Sequence, residues 1–504
     1  MMASNVSRDV SQDQSSVVQT RKPWYAFATV AAGRFVRFAS RVTKHGGSAL
    51  PGKVVEKIDP GFLTRTLGQL PLGVVLVSGT NGKTTTTRMV ASMLSDLGLK
   101  VFTNPTGSNF VRGVVSALLT EVTFGGKLDA DIAVLELDEA YAVHFVKQVK
   151  PRYALLLNVM RDQLDRFGEI DTTAKLLSHV AAATTGTVVL NREDPRIAAL
   201  AAKAPAGTTV RYFGLADDLR HYFPSDDDMA TTVSVEGVAG PLPSARTPLS
   251  PRSELRGASA GTAELPADVT LTAVGDHKAT FQMDGQGYAT DVKLEGVYNL
   301  YNAAAALAVV RAVMQDNAAA ANACAVSADE LIAAVSRVTP AFGRGEVIDV
   351  NGSPVELLLV KNPMGFRLSL ASFDPANADT MIAINDEYAD GRDMSWLWDV
   401  DFTSLRASGV AMVSGVRAWD MALRLGYDQV PVADTNTDLE QAVTAFVNAN
   451  PGTRKHIYCT YTAMLKTRAV LGPPRGGGAG GVGKYPPFGA RAPPPASGRG
   501  MVRE

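Results

Sequence analysis

Residues 74–86 read Val74-Val75-Leu76-Val77-Ser78-Gly79-Thr80-Asn81-Gly82-Lys83-Thr84-Thr85-Thr86. An apolar run leads into two glycines, a lysine and a row of hydroxyl side chains. This order predicts a buried parallel strand, a phosphate-binding loop and a helix with Lys83 and Thr84 in its first turn. Gly79 and Gly82 let backbone N–H groups approach a phosphate closely, and the helix N-terminus favours its negative charge. Lys83 has the reach for the outer phosphates of a nucleotide and carries no other duty in this reading. Thr84 or Thr85 offers a hydroxyl to Mg²⁺. The generic nucleotide loop would need glycine at position 77, where this chain has Val77, so the loop is the shorter G-T-N-G-K-T-T form.

Working outward, 504 residues leave room for about three domains. With 49 basic and 50 acidic residues the chain has no electrostatic footprint for nucleic acid. Its two cysteines, Cys324 and Cys459, are too few for a disulfide framework or a four-cysteine zinc site. Six scattered histidines add no close ligand pair, so no zinc site is expected. No uncharged apolar run has the length of a membrane span, and no signal peptide is evident, which predicts a cytoplasmic location.

The fold class expected is α/β: a P-loop central domain built on a parallel sheet, followed by a smaller C-terminal α/β domain. Residues 1–22 are polar and expected to be disordered. In residues 23–60, Trp24, Phe27, Ala31, Phe38 and Val42 recur at helical spacing with Arg34, Arg37, Arg41 and Lys44 among them. Such a basic amphipathic helix either rests on anionic lipid at the inner face of the membrane or packs on its own domain. The nucleotide-binding domain is expected over residues 61–325, interrupted by a polar insertion at about 215–268. The second domain is expected over 340–470, with strands at Pro354–Val360, Thr380–Ile384, Gly409–Val413 and His456–Thr460. The Gly/Pro-rich stretch 472–504 reads as disordered, either a basic interaction tail or an altered reading frame.

Further motifs fall at the ends of expected strands, where open α/β sheets bind ligands. Ile132 to Leu135 lead into Glu136, Asp138 and Glu139, and Glu136 is the best carboxylate for Mg²⁺, which takes one or two such ligands and keeps its waters. Together with the loop, these segments resemble the Mur ligase and folylpolyglutamate synthase superfamily. Asn158 to Gly168 resembles its N-x-x-x-D-H-L-D-x-H-G motif, with Gln163 and Phe167 in place of two histidines. Leu190 to Pro195 resembles its L-N-x-D-D-P turn. Gly296 to Asn302 resembles its G-x-H-N-x-x-N base-binding motif, with Tyr298 replacing histidine. The resemblance places Asn302 against adenine and Arg344, in Gly343-Arg344-Gly345-Glu346, against the phosphates. The nucleotide site it implies comprises Gly79, Thr80, Asn81, Gly82, Lys83, Thr84, Thr85, Asn302 and Arg344, with ATP as ligand and Mg²⁺ held at Thr84 and Glu136.

In the second domain, Lys361-Asn362-Pro363-Met364-Gly365 and the run from Asn385 to Trp396, N-D-x-x-A-D-G-R-D-x-S-W, resemble the MurT family of ATP-binding subunits. The loop at residue 79 leaves no room ahead of it for the UDP-sugar domain of complete Mur ligases. A substrate carried on something else, such as lipid II, is therefore expected. Unlike the MurT proteins with a four-cysteine zinc ribbon, this chain has no cysteine between 215 and 290. The resemblance implies a glutamine-dependent carbon–nitrogen ligase of peptidoglycan biosynthesis, which amidates the D-glutamate α-carboxylate of lipid II through an acyl phosphate. Neither cysteine has the glycine-rich context of a glutaminase nucleophile, so a separate GatD-like glutamine amidotransferase is implied as the heterodimer partner. In that arrangement Asp393 completes the partner's Cys–His pair, and Lys83 and Asp393 are the catalytic residues. The alternative is an amino-acid-adding ligase of the Mur or folylpolyglutamate type.

Overall fold

The computed structural model describes residues 25–42, 50–104, 109–160, 170–222, 265–275, 278–293, 297–321, 325–339 and 344–472. The expectations for 1–22, the body of the insertion, the tail, Gln163, Phe167 and Cys324 lie outside the described residues.

The described strands form two sheets. The first contains β1 (Val74–Ser78), β2 (Val101–Thr103), β3 (Ile132–Glu136), β4 (Tyr153–Leu156), β5 (Thr187–Asn191), β6 (Thr209–Leu215), β7 (Val269–Gly275), β8 (Lys278–Met283) and β9 (Gln286–Asp291). Their order is β2-β3-β1-β4-β5-β6-β7-β8-β9, parallel from β2 to β7 and antiparallel beyond. The chain leaves β1 for strands on one side and returns to pair β4 on the other. The phosphate loop therefore opens at a topological switch point.

The apolar run that opens the strand is buried on both faces of the sheet. Val75 and Val77 join one core with Val134, Leu155 and the helix Val297–Ala321, whereas Leu76 joins the opposite core with Leu135 and Leu156. Each such fully buried side chain is worth on the order of 1.5–3 kcal/mol, so the strand beneath the loop is held firmly. Helix α1 (Ala26–Val42) packs Thr29 and Val30 inward against α2 (Leu50–Ile58) and leaves Phe35 and Phe38 exposed. It thus rests on its own domain while keeping an apolar face outward.

The second sheet contains β10 (Arg344–Val350), β11 (Ser353–Leu359), β12 (Ala378–Ala383), β13 (Met412–Ser414), β14 (Thr435–Asn436) and β15 (Arg454–Cys459), in the order β10-β11-β15-β12-β13-β14. The strand expected at Gly409–Val413 starts later. Gly409 turns the chain at φ +72°, Val410 makes an isolated bridge to Val432, and the strand itself begins at Met412. Among the described residues no helix is long and apolar enough to cross a membrane.

Candidate active site

β1 ends at Ser78 and α3 (Lys83–Asp96) begins at Lys83, with Gly82 as N-cap and no side-chain capping bond. The donors of that first turn are left for an anion. Both loop glycines are required by the backbone. Gly79 has φ +130° and Gly82 φ +84°, and a Cβ on Gly82 would lie 2.4 Å from Asn302 Oδ1.

Asn158, just past β4, fixes the loop from the adjacent strand. Its Oδ1 accepts from the Asn81 N–H (2.8 Å), its Nδ2 donates to the Asn81 carbonyl (3.1 Å), and its own carbonyl accepts from the Thr80 N–H (2.9 Å). The Met160 N–H donates to Thr80 Oγ1 at 3.0 Å. One turn earlier than Asn302 on the helix α4 (Val297–Ala321), Tyr298 and Asn299 line the cleft beside Asn81, Gly82 and Thr85. Asn302 itself is buried against Gly82, and its Nδ2 has no hydrogen-bond partner among the described residues.

Lys83 is 8% exposed. Its Nζ donates to the carbonyls of Gly79 (2.5 Å) and Thr80 (3.2 Å) and lies 3.3 Å from both carboxylate oxygens of Glu139. The sequence reading gave this lysine no structural duty; the folded chain gives it one, as counter-charge to a buried acid. Burial raises the Glu139 carboxyl above the usual carboxylate range, against the opposing pull of Lys83. The neighbouring Thr84 Oγ1 donates to Glu136 Oε1 at 2.8 Å. A hydroxyl and a carboxylate oxygen thus stand side by side at the loop, a donor pair that fits a hard cation completing its shell with water and phosphate. Among the described residues no cluster of three or more His, Cys, Asp or Glu forms a metal site.

The second sheet reaches into this loop. Lys361 Nζ donates to the Thr80 carbonyl at 3.2 Å. The side chains of Asn81 and Asn362 bond to each other in both directions, at 3.2 and 2.9 Å. Asn362 is also the N-cap of α5 (Pro363–Ser372), accepting from the Gly365 N–H at 2.8 Å. Leu358, Leu368 and Phe373 complete the cleft wall from this side. Arg344 opens β10, and its backbone pairs with Leu358.

Asp393 lies between β12 and the short helical turn Ser395–Asp399. It is partly exposed, its Oδ1 accepts from the Ser395 N–H at 2.9 Å, and the Ser395 hydrogen bonds hold its carboxyl below the usual range. The turn of helix that follows, Ser395–Asp399, packs on α6 (Ala418–Tyr427), with the Trp398 and Tyr427 rings 5.1 Å apart. On α6 the spacing of Trp419, Leu423 and Tyr427 puts three large apolar side chains on one face, all exposed. Cys459 is fully buried, and burial pushes its thiol well above the range of a nucleophile.

The fold therefore brings Gly79 to Thr85, Glu136 and Asn302 together. Three contributors escaped the sequence reading. Glu139 lay inside the stretch noted for Glu136, Asn158 served only as a motif letter, and Lys361 only as a departure from the Mur pattern.

A P-loop at a sheet switch point, a hydroxyl–carboxylate oxygen pair beside it and a second α/β unit bearing on the loop define a Mur ligase-like fold. Family models match in the same places: the Mur ligase middle domain over residues 77–238 and the MurT ligase C-terminal domain over 359–464. Among solved structures, MurF from Acinetobacter baumannii is similar with TM-score 0.59 and 19% identity, covering 84% of this chain and 80% of that one. MurF from Thermotoga maritima, solved in complex with ADP, has TM-score 0.56 and 16% identity over 82% of this chain and 83% of that one. The lipid II isoglutaminyl synthase (glutamine-hydrolyzing) subunit MurT of Streptococcus pneumoniae is 31% identical over 465 residues, 87% of this chain and 95% of that one. The chain belongs to the MurT family.

Proposed function

We propose that this protein is the ATP-binding, ligase subunit of a glutamine-hydrolysing lipid II isoglutaminyl synthase. The γ-phosphoryl group of ATP passes to an oxygen of the D-glutamate α-carboxylate of lipid II, releasing ADP. Ammonia then attacks the acyl carbon, phosphate leaves, and a proton is lost to give D-isoglutamine. The observation that carries this reading is Lys83, set in the phosphate loop beside the Thr84–Glu136 oxygen pair and overlaid by Lys361 and Asn362 from the MurT-type domain.

Catalysis of this transfer is mainly positioning and charge stabilisation. Lys83 leaves Glu139 for the outer phosphates, while the N–H groups opening α3 hold the phosphate chain. Arg344 is assigned to the same anion by the family motif. Thr84 and Glu136 would hold Mg²⁺, which would supply positive charge to the transferred phosphoryl oxygens. Tyr298, Asn299 and the apolar wall of Leu358, Leu368 and Phe373 receive the base.

Ammonia comes from a GatD-like glutaminase subunit. The exposed face of α6 beside Asp393 suits that partner, and a carboxylate that stays ionised at neutral pH suits the orientation of its histidine. Ammonium-driven amidation of lipid II by this chain and ATP tests the reading. Lys83→Ala should abolish it, and unimpaired amidation by the folded variant would refute the assignment of the loop.

A further inference from the structure

We infer that helices α1 and α2 form a docking surface for anionic lipid. The whole chain is balanced, with 49 basic and 50 acidic residues, but residues 26–58 hold six basic side chains (Arg34, Arg37, Arg41, Lys44, Lys53, Lys57) and one acid, Glu56. That acid is already paired with Arg112 at 2.8 Å. Arg34 spends its hydrogen bonds on the carbonyls of Leu119 and Val122, contacts that leave its positive charge in place.

The apolar pattern coincides with this charge. Ala28, Ala31, Phe35 and Phe38 are exposed and fall three and four residues apart, so they share one face of α1. Phe35 is 70% and Phe38 66% exposed, and the Arg34 guanidinium lies 4.7 Å from the ring of Phe124, itself 64% exposed. Aromatic rings flanked by arginines suit the boundary between headgroups and acyl chains, where the ring is buried and the cation meets phosphate. The exposed face of α6 differs, since its helix carries Asp420, paired with Arg417 at 3.1 Å. Mixed charge suits a protein partner; the acid-free α1 suits an anionic bilayer. Such docking does not depend on a lipid-linked substrate.

Cosedimentation of the full chain with substrate-free vesicles tests the inference. Binding is expected to phosphatidylglycerol vesicles, at least about tenfold weaker to phosphatidylcholine, and weakened as salt rises from about 0.05 to 0.5 M. Phe35→Ser/Phe38→Ser should lose at least about tenfold in binding to the anionic vesicles. ADP affinity of that variant should be unchanged, because both rings are exposed and far in sequence from the loop. Absence of binding, equal binding to both lipids, or binding indifferent to the double substitution would overturn the inference. So would a dimer that the double substitution dissociates, which would assign the face to a second copy. Since the vesicles hold no substrate, a negative result leaves the amidation reading standing, and failure of amidation leaves this one standing.

Discussion

Asn81 in the phosphate loop and Asn362 at the start of α5 exchange side-chain hydrogen bonds in both directions, across 281 residues of sequence. Both are buried, and each amide satisfies the other. The position of the second α/β unit is thereby linked directly to the loop between β1 and α3.

Asn362→Ser separates this link from helix capping, because serine caps α5 about as well as asparagine but cannot reach Asn81. The buried Asn81 amide then keeps only the weak acceptor Met160 Sδ at 3.4 Å, a cost of about 1–3 kcal/mol unless the two units move apart and water reaches it. The expected result is a roughly tenfold weaker affinity for ADP and a larger radius of gyration by small-angle scattering. An unchanged radius and affinity would show that the link is incidental.

Lys83 and Glu139 form a buried pair, so removing the lysine alone leaves a buried acid without its nearest counter-charge. Breaking such a pair costs about 3–5 kcal/mol. Lys83→Met should therefore lower the melting temperature, and Lys83→Met/Glu139→Gln should recover most of the loss, while neither amidates lipid II. The sign of the pH dependence follows from burial, which raises the folded-state pKa of Glu139 above its unfolded value. Folded Lys83→Met then holds a proton that the unfolded chain has released. Its stability deficit is smallest at or below the ordinary glutamate pKa and grows as pH rises above it. Thermal melts of both variants across pH 5–8 check this, and a deficit independent of pH would exclude Glu139 as its source.

Asp393→Asn distinguishes the two half-reactions. If the carboxylate orients the partner's histidine, glutamine-dependent amidation by the complex should fall by about 10⁴, since an amide cannot stabilise the imidazolium. Amidation supplied with ammonium should stay within a few-fold of the parent. Equal loss with both nitrogen sources would instead point to the turn that Asp393 makes with Ser395.

The sheet framework and the loop were legible because they are local. Continuous apolar strands, paired glycines and the lysine after them declare themselves within ten residues of each other. The place of Glu136 beside the loop was legible for the same reason, as the carboxylate that ends a buried strand. Lys361, Asn158 and Glu139 were not, because their roles arise only when the ends of β3 and β4 and the second sheet converge on Thr80, Asn81 and Lys83. Asn302 was read toward the base, whereas its burial against Gly82 depends on how closely α4 approaches α3. The two readings of α1, own-domain packing and lipid contact, looked exclusive in sequence. In the folded chain one face of the helix packs on its own domain and the other leaves Phe35 and Phe38 exposed, so the first does not exclude the second.

The central claim is that ATP activates the D-glutamate α-carboxylate at the Lys83 loop. Lipid II carrying ¹⁸O in that carboxylate, incubated with ATP, ammonium and this protein, tests it most directly. The account predicts that each amidated product is accompanied by one inorganic phosphate bearing one ¹⁸O atom, and that the Lys83→Met/Glu139→Gln variant yields neither. Amidation with unlabelled phosphate, or labelled phosphate from the loop variant, would contradict it.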